Sequence, residues 1–543
     1  MDLEDFVSRR SVVYGRKGMV ASSQPLATAA GLEILRSGGT AADAAVAVAA
    51  ALNVTEPCST GIGGDMFALW WGGPEGGVEA LNGSGRSPRS LDLDRVEREG
   101  LGAGLPPFHP YTVTVPGACA GWFELLGRHG RLPPTEVFAP AIALAEEGFP
   151  VSPITSWFWK RGAVGQLAKA PNGRELTIEG RGPEPGEVFR NPGLAATLRL
   201  VAEKGPSVFY EGEIAESIVG TLREAGGCLD EGDLALHESS WEAPIAKARG
   251  DLVFHECPPN GQGIVTLLAL SILEAFDIEE MHPLSAERLH LEIEALRLAF
   301  ADARRYVADP LFRALPLDEL LSEDYARTRR ALIDPRRARA DPAAGSPLAS
   351  SDTVYFCVVD AEGRACSFVN SNYMGFGTGI VPKGRGFSLQ NRGCNFSLER
   401  HHANALEGGK RPYHTIIPAL ITGGGEEKRL FGVFGVMGGF MQPQGHLQVG
   451  LSLAGGEDPQ RALDRPRFCI DIAGAAAAGP VLLEEGIPWK TAAGLADLGH
   501  VVRPVAGWGR AAFGRGQAIL RSPTGLLSGG SDPRADGAAM PLL

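Results

Sequence analysis

Apolar residues recur at helical spacing over 24–37, and Gly38-Gly39 follows as a stop. Thr40 then reads as an N-cap with Asp43 three residues on, a variant of the capping box. The Ala/Val run behind it is apolar almost all round, which predicts a buried helix. Residues 119–147 and 285–309 carry the same period, the second with Leu289, Ile293, Leu296 and Phe300 on one face. Between the first two helices and the third, Cys58-Ser59-Thr60-Gly61-Ile62-Gly63-Gly64-Asp65 is a glycine-rich loop, and 66–71 reads as a strand. With no strand before the glycines and no helix after them, the loop does not fit a dinucleotide fingerprint.

The texture changes at Thr353. Residues 353–359 are β-rich, Asp360-Ala361-Glu362-Gly363 forms a four-residue turn, and 364–372 makes a second strand. If Val359 pairs with Arg364, Thr353 faces Asn370, and a one-residue bulge moves its partner to Ser371. The first residue of the hairpin then lies beside Asn370, Ser371 and Asn372, a polar cluster that on spacing alone is equally a solvated strand end. Further β-rich runs cover 412–422 and 428–437, the last leading into Gly438-Gly439-Phe440. Paired glycines after a strand let amide N–H groups turn outward, as a tight turn or as an oxyanion site. Residues 314–350 are rich in Arg, Asp, Ala and Pro, and 334–351, without periodicity, predicts an exposed, mobile segment.

Composition narrows the classes. Of 543 residues, 44% are hydrophobic and 21% charged, enough for a large core without disulfide or metal staples. The net charge of −13 disfavours general nucleic-acid binding. The cluster Arg329, Arg330, Arg336, Arg337 and Arg339, broken by Asp334 and Pro335, predicts a solvated surface. No apolar run is long enough to span a bilayer, and residues 1–16 lack the apolar core of a secretory signal. The 8 cysteines are scattered, with no C-x-x-C, which predicts free buried thiols in a cytoplasmic protein. His290 with Glu292 and Glu294 does not make H-E-x-x-H, so no zinc site is expected.

Four ordered stretches carry a resemblance. They are Gly38-Gly39-Thr40-Ala41-Ala42-Asp43 through Glu56-Pro57 and Gly61-Ile62-Gly63-Gly64; Thr114-Val115-Pro116-Gly117 through Gly121; Asp352-Thr353 through Val358-Val359-Asp360; and Gly529 to Gly537. In these the chain resembles the γ-glutamyltransferase family of N-terminal-nucleophile hydrolases over almost its whole length. The resemblance implies an α+β fold, a four-layer αββα sandwich with helices outside two stacked sheets. It implies self-cleavage between Asp352 and Thr353 into a large chain, 1–352, and a small chain, 353–543, that form one catalytic unit, with a homodimer also open. It makes Thr353 the nucleophile, its freed α-amine the base, Ser371 the supporting hydroxyl, and the N–H groups of Gly438 and Gly439 the oxyanion site. The substrate is a small-molecule amide, and no cofactor or metal is implied.

The pocket departs from the usual transferase. The carboxylate that holds a γ-glutamyl α-ammonium is replaced by Asn395, a neighbouring glutamine by Arg392, an asparagine by Tyr373, and paired serines by His414-Thr415. The arginine that grips the substrate α-carboxylate falls on Ser84, with Arg86 two residues on; Arg86 or Arg392 could take its task, or form a structural ion pair. The stretch 396–412 is too short for the lid loop of many transferases, which favours hydrolysis over transfer. These departures resemble a subgroup containing γ-glutamyltransferase-like hydrolases, cephalosporin acylases and oxamate amidohydrolase. The expected activity is hydrolysis, with transfer also open, of γ-glutamyl or related carboxylate-bearing acyl amides. Alternatives are specificity for a non-glutamyl acid such as oxamate or a glutaryl amide, a non-catalytic binding homologue, and a cysteine hydrolase using Cys357 or Cys394 with His414.

Overall fold

The structure is a computed structural model that describes residues 10–102, 104–339, 352–425, 428–471 and 479–543. Two sheets organise it. Their strands, in chain order, are β1 (Val13–Gly15), β2 (Met19–Ser22), β3 (Asp65–Trp71), β4 (Val78–Gly83), β5 (Ser240–Glu242), β6 (Ile245–Arg249), β7 (Leu252–Glu256), β8 (Asp352–Val359), β9 (Ala365–Tyr373), β10 (Ala419–Gly423), β11 (Arg429–Met437), β12 (Arg515–Arg521), β13 (Leu527–Ser531) and β14 (Ala538–Pro541). One sheet runs β1-β13-β12-β11-β10-β7-β6 and the other β14-β2-β8-β9-β3-β4-β5.

The sheets face each other across Met19, Phe67, Leu69, Tyr355, Val369, Leu420, Val433 and Ile519. On the far side of the second sheet, Val354, Phe356 and Val358 join Val46, Leu52 and Trp122 from the helices Ala41–Thr55 and Ala118–His129. On the far side of the first, Phe434 and Val436 meet the helices Gly263–Leu273, Ala286–Tyr306 and Met441–Ala454. This is the expected α+β four-layer αββα sandwich. Successive residues of β8 alternate between the helix layer and the inter-sheet layer, the period of two of a strand buried on both faces. That alternation puts Thr353 on the same side as Tyr355, between the sheets.

The capping box forms as expected: Thr40 accepts from the amides of Ala42 and Asp43, and Asp43 accepts from Thr40 N at 2.7 Å. Every residue of the helix behind it is buried, which accounts for a run with no polar face. Other expectations need correction. The span 119–147 is three helices, Ala118–His129, Pro134–Val137 and Ala139–Glu147, because Gly130 and Pro133-Pro134 break the ladder. Residues 412–418 form no strand, only an isolated bridge from His414 to Gly261; the strand is Ala419–Gly423. In the hairpin, Val359 pairs with Ala365 rather than Arg364. Asp360 N donates to Arg364 O at 3.0 Å, and Gly363 takes φ 79° to close the tighter turn. The basic cluster is partly paired, Arg329 with Asp302 and Arg330 with Glu323. Most of the stretch read as mobile (340–351) and the first nine residues lie outside the described residues. Among the described residues no helix is long and apolar enough to cross a membrane. All eight cysteines are free, six of them buried.

The C-terminal motif is a clamp. Asp532 binds Arg467 at 2.7 Å and Arg534 at 2.9 Å, and Arg534 also pairs with Glu484. Burial alone would raise the Asp532 pKa, but the two guanidinium groups outweigh it and hold it at about 2. Removing one partner of a buried ion pair leaves an uncompensated charge, so Arg534→Met should lower stability by about 3–5 kcal/mol in urea unfolding. The depressed Asp532 pKa adds stability in full above its unfolded value of about 3.9, and loses it as pH falls through about 2. The gap between wild type and Arg534→Met should therefore narrow in acid.

Candidate active site

The hairpin carries a bulge where its first residues meet. Asp352 pairs with Tyr373 and Val354 with Asn370, so the single Thr353 is opposed by both Ser371 and Asn372. Thr353 Oγ1 lies 3.1 Å from Ser371 Oγ. Tyr373 closes the bulge with φ 79°, unusual for a bulky residue, and its N–H donates to Ser371 Oγ at 2.9 Å. On the other side β3 places Asp65 opposite Ser371. The glycine loop passes so close that a Cβ on Gly64 would stand 2.3 Å from the Ser371 carbonyl oxygen. That contact, rather than phosphate binding, is the use this structure makes of Gly64.

Arg392 begins a short 3-10 turn, Arg392–Asn395. It donates to Ser371 Oγ at 3.1 Å and to Thr415 Oγ1 at 2.7 Å, with its guanidinium 4.5 Å from the centre of the Tyr373 ring. The side chain is fully buried; burial lowers its pKa to about 10, opposed by the Asp65 carboxylate, so it stays cationic at neutral pH. Its Nε has no hydrogen-bond partner among the described residues, nor has either amide atom of buried Asn395. Buried polar atoms are normally paired, so three orphans within one turn mark a place where a polar ligand fits.

Asp65 is completely buried and accepts from His414 Nε2 (3.0 Å), Gln390 Nε2 (2.9 Å), Gly85 N (3.1 Å) and Gly117 N (3.1 Å). Burial alone would raise its pKa; the His414 hydrogen bond and the nearby Arg392 bring it below the ordinary value. His414 Nδ1 accepts from Ile416 N at 3.3 Å, so both ring nitrogens are engaged. Burial, then Arg392, pushes its pKa down to about 3, and the ring is neutral.

Gln262 links this side to the paired glycines. Its Nε2 donates to Thr415 O at 2.6 Å and to Gly439 O at 2.9 Å. Gly438 O accepts from Met441 N at 2.9 Å. Both carbonyls are thus tied down, while the N–H groups of Gly438 and Gly439 make no hydrogen bond among the described residues. Their φ values of 128° and 57° lie where glycine is favoured.

Hydrogen bonds therefore run unbroken from Thr353 through Ser371, Arg392, Thr415 and Gln262 to Gly439, with Tyr373 and His414 packed against the line. Asn395 sits at the end of the Arg392 turn. Arg86 stands apart, in an ion pair with Asp309 (2.8 Å) and a bond to Gly409 O (3.1 Å). Ser84 is held by Asn82 and Asn260. The Cys394–His414 pairing does not occur: Cys394 Sγ faces Pro107 O at 3.6 Å, burial pushes its thiol up to about 12, and His414 has no nitrogen to spare. Cys357 faces the inter-sheet layer, and burial raises its thiol as well.

Sequence reasoning missed Asp65, Gln262 and Gln390. Asp65 had a signal, an acid heading a strand of otherwise apolar residues; Gln262 and Gln390 had none. One cluster away from this site, His290, Glu294 and His500, could hold a metal ion. However, the two imidazoles bond each other at 2.7 Å, closer than the roughly 3.3 Å between nitrogens on one tetrahedral zinc, and Glu294 pairs with Arg297. The cluster reads as a histidine–histidine hydrogen bond.

Comparison with known proteins agrees over nearly the full length. A family model described as Gamma-glutamyltranspeptidase matches residues 27–542. The glutathione hydrolase-like YwrD proenzyme of Bacillus subtilis is 38% identical over 532 residues, covering 97% of this chain and 99% of that one. The oxamate amidohydrolase proenzyme of Klebsiella pneumoniae is 34% identical over 530 residues, covering 96% and 98%. A crystal structure of cephalosporin acylase from Bacillus halodurans superposes with a TM-score of 0.91 at 44% identity, covering 99% and 98%. The chain belongs to the gamma-glutamyltranspeptidase family and is an enzyme of its N-terminal-nucleophile amidohydrolase type.

Proposed function

We propose that the chain is a self-processing threonine amidohydrolase acting on acyl amides whose acyl group bears a carboxylate. The observation that carries this reading is the Thr353 hydroxyl 3.1 Å from Ser371, beside a buried guanidinium with an unpartnered Nε. In the uncut chain the hydroxyl attacks the Asp352 carbonyl carbon; the peptide C–N bond breaks, an ester forms, and the Thr353 nitrogen takes the proton. Water then hydrolyses the ester, leaving a carboxylate on Asp352 and an α-amine on Thr353. That amine titrates at roughly 7.7–8.0, so near neutrality a useful fraction is free to take the hydroxyl proton in turnover. Substrate attack builds negative charge on the former carbonyl oxygen, which the Gly438 and Gly439 N–H groups are suited to receive. The leaving amine takes the proton, and water frees the acid.

The polar groups around Arg392 favour an acid without an ammonium. Arg392 offers charge to a carboxylate, whereas Asn395 offers an ammonium only an amide dipole. The nearby carboxylate, Asp65, is already filled by four donors. Glutaryl amides and oxamate fit this balance better than γ-glutamyl amides.

Intact mass should resolve wild-type protein into chains of 352 and 191 residues, summing to 543, while Thr353→Ala stays whole and inactive. A wild-type chain that remains whole after long incubation would sink the reading. Asn395→Asp should restore the missing counter-charge. The ratio of kcat/KM for γ-glutamyl-p-nitroanilide over glutaryl-p-nitroanilide should then rise about 10- to 100-fold, as expected for a hydrogen bond to a charged group. An unchanged ratio would remove Asn395 from the acyl site.

A further inference from the structure

Asp65 makes no hydrogen bond to Thr353, yet it binds the groups that stand behind the residues around it. Its strand lies against β9 with Asp65 opposite Ser371. Oδ1 gathers Gly85 N, Gly117 N and Gln390 Nε2, which fixes the Thr114–Gly117 motif and the residue two before Arg392. Oδ2 takes His414 Nε2, which leaves Nδ1 as the acceptor for Ile416 N. Only one neutral tautomer satisfies both bonds. His414 is thereby a rigid post, and the next residue, Thr415, meets Arg392 at 2.7 Å.

We propose that Asp65 is the positioning residue of the site: by locking His414 in its Nε2–H tautomer and opposing the charge of buried Arg392, it sets where Arg392 and Ser371 stand relative to Thr353. This inference rests on the functional reading above and names the group that makes its geometry possible. An asparagine of the same size cannot replace it. Whichever way its amide turns, an NH2 faces N–H donors, either those of Gly85, Gly117 and Gln390 or that of His414. Facing His414 sets the NH2 against one donor rather than three and is the less costly turn; it would force the ring to the Nδ1–H tautomer and strip Ile416 N of its acceptor.

Asp65 touches no substrate, and its negative charge opposes an incoming anion. D65N should therefore lower kcat for glutaryl-p-nitroanilide about 10- to 100-fold while KM stays level or falls. A general loosening of the fold would raise KM instead. Imidazole 15N shifts of histidine-labelled protein, with His414 assigned from its loss in H414Q, should show a neutral Nε2–H ring at neutral pH in wild type and Nδ1–H in D65N. Wild-type kcat retained in D65N, or a wild-type His414 that is Nδ1–H or imidazolium at neutral pH, overturns the inference. The wild-type spectrum decides the matter even if D65N does not fold. If wild type hydrolyses no carboxylate-bearing amide, the functional reading fails on its own, and the spectra still test Asp65.

Discussion

The groups around Thr353 are arranged about a fully buried positive charge. Arg392 is fully buried, and an isolated cation there would cost several kcal/mol. The surrounding sequence answers with several compensations at once. Ser371 and Thr415 accept from the two terminal nitrogens, the Tyr373 ring offers its electron-rich face, and Asp65 supplies the opposite charge. The compensating groups come from three elements, so the charge can be buried only when β3, the β8–β9 hairpin and the 412–415 segment have come together. The site is in this sense a checkpoint on assembly.

A second set of buried charges joins the layers of the sandwich. Glu56, which terminates the 41–55 helix, pairs with Arg515 on β12 at 3.0 Å, tying the helix layer of one sheet to a strand of the other. Asp532, Arg534, Arg467 and Glu484 bind the C-terminal segment to the strand Val481–Glu484, part of a separate three-stranded sheet. Two motifs visible in the sequence, Glu56-Pro57 and the stretch around Asp532, thus serve the joining of layers, while Thr353 and the paired glycines carry the proposed chemistry.

The hairpin and its polar cluster were legible from residue pattern alone, because β-branched and aromatic alternation and a glycine turn fix a local pairing. The count was one residue out, since Gly363 at positive φ closes a turn shorter than spacing suggests. That slip would set Asn370 opposite Thr353, whereas the observed register sets Ser371 there and the bulge adds Asn372 beside it. The roles of Ser371, Arg392 and the glycine pair came from family resemblance. The partnership of Asp65 with His414, 349 positions apart, left no mark that a linear reading could find. The same holds for Gln262, whose value lies in two backbone carbonyls it reaches across the fold. Arg86, plausible by position, is engaged instead by Asp309 because the loop after β4 carries it toward that carboxylate.

The order of strands has a consequence for the life of the molecule. In the first sheet β10 to β13 lie between β1 and the β6–β7 pair; in the second β8 and β9 lie between β2 and β3. The proposed cut ahead of Thr353 would leave the middle of each sheet, and the edge strand β14, in one polypeptide and the remaining strands in the other. Each piece would keep some strand pairs of its own, but neither could complete either sheet without the other, so the continuous chain is the form in which both sheets close within one molecule. After such a cut, reassembly from an unfolded state would be second order in concentration, and the persistence of the two-chain form would be governed by how slowly it opens rather than by how readily it re-forms.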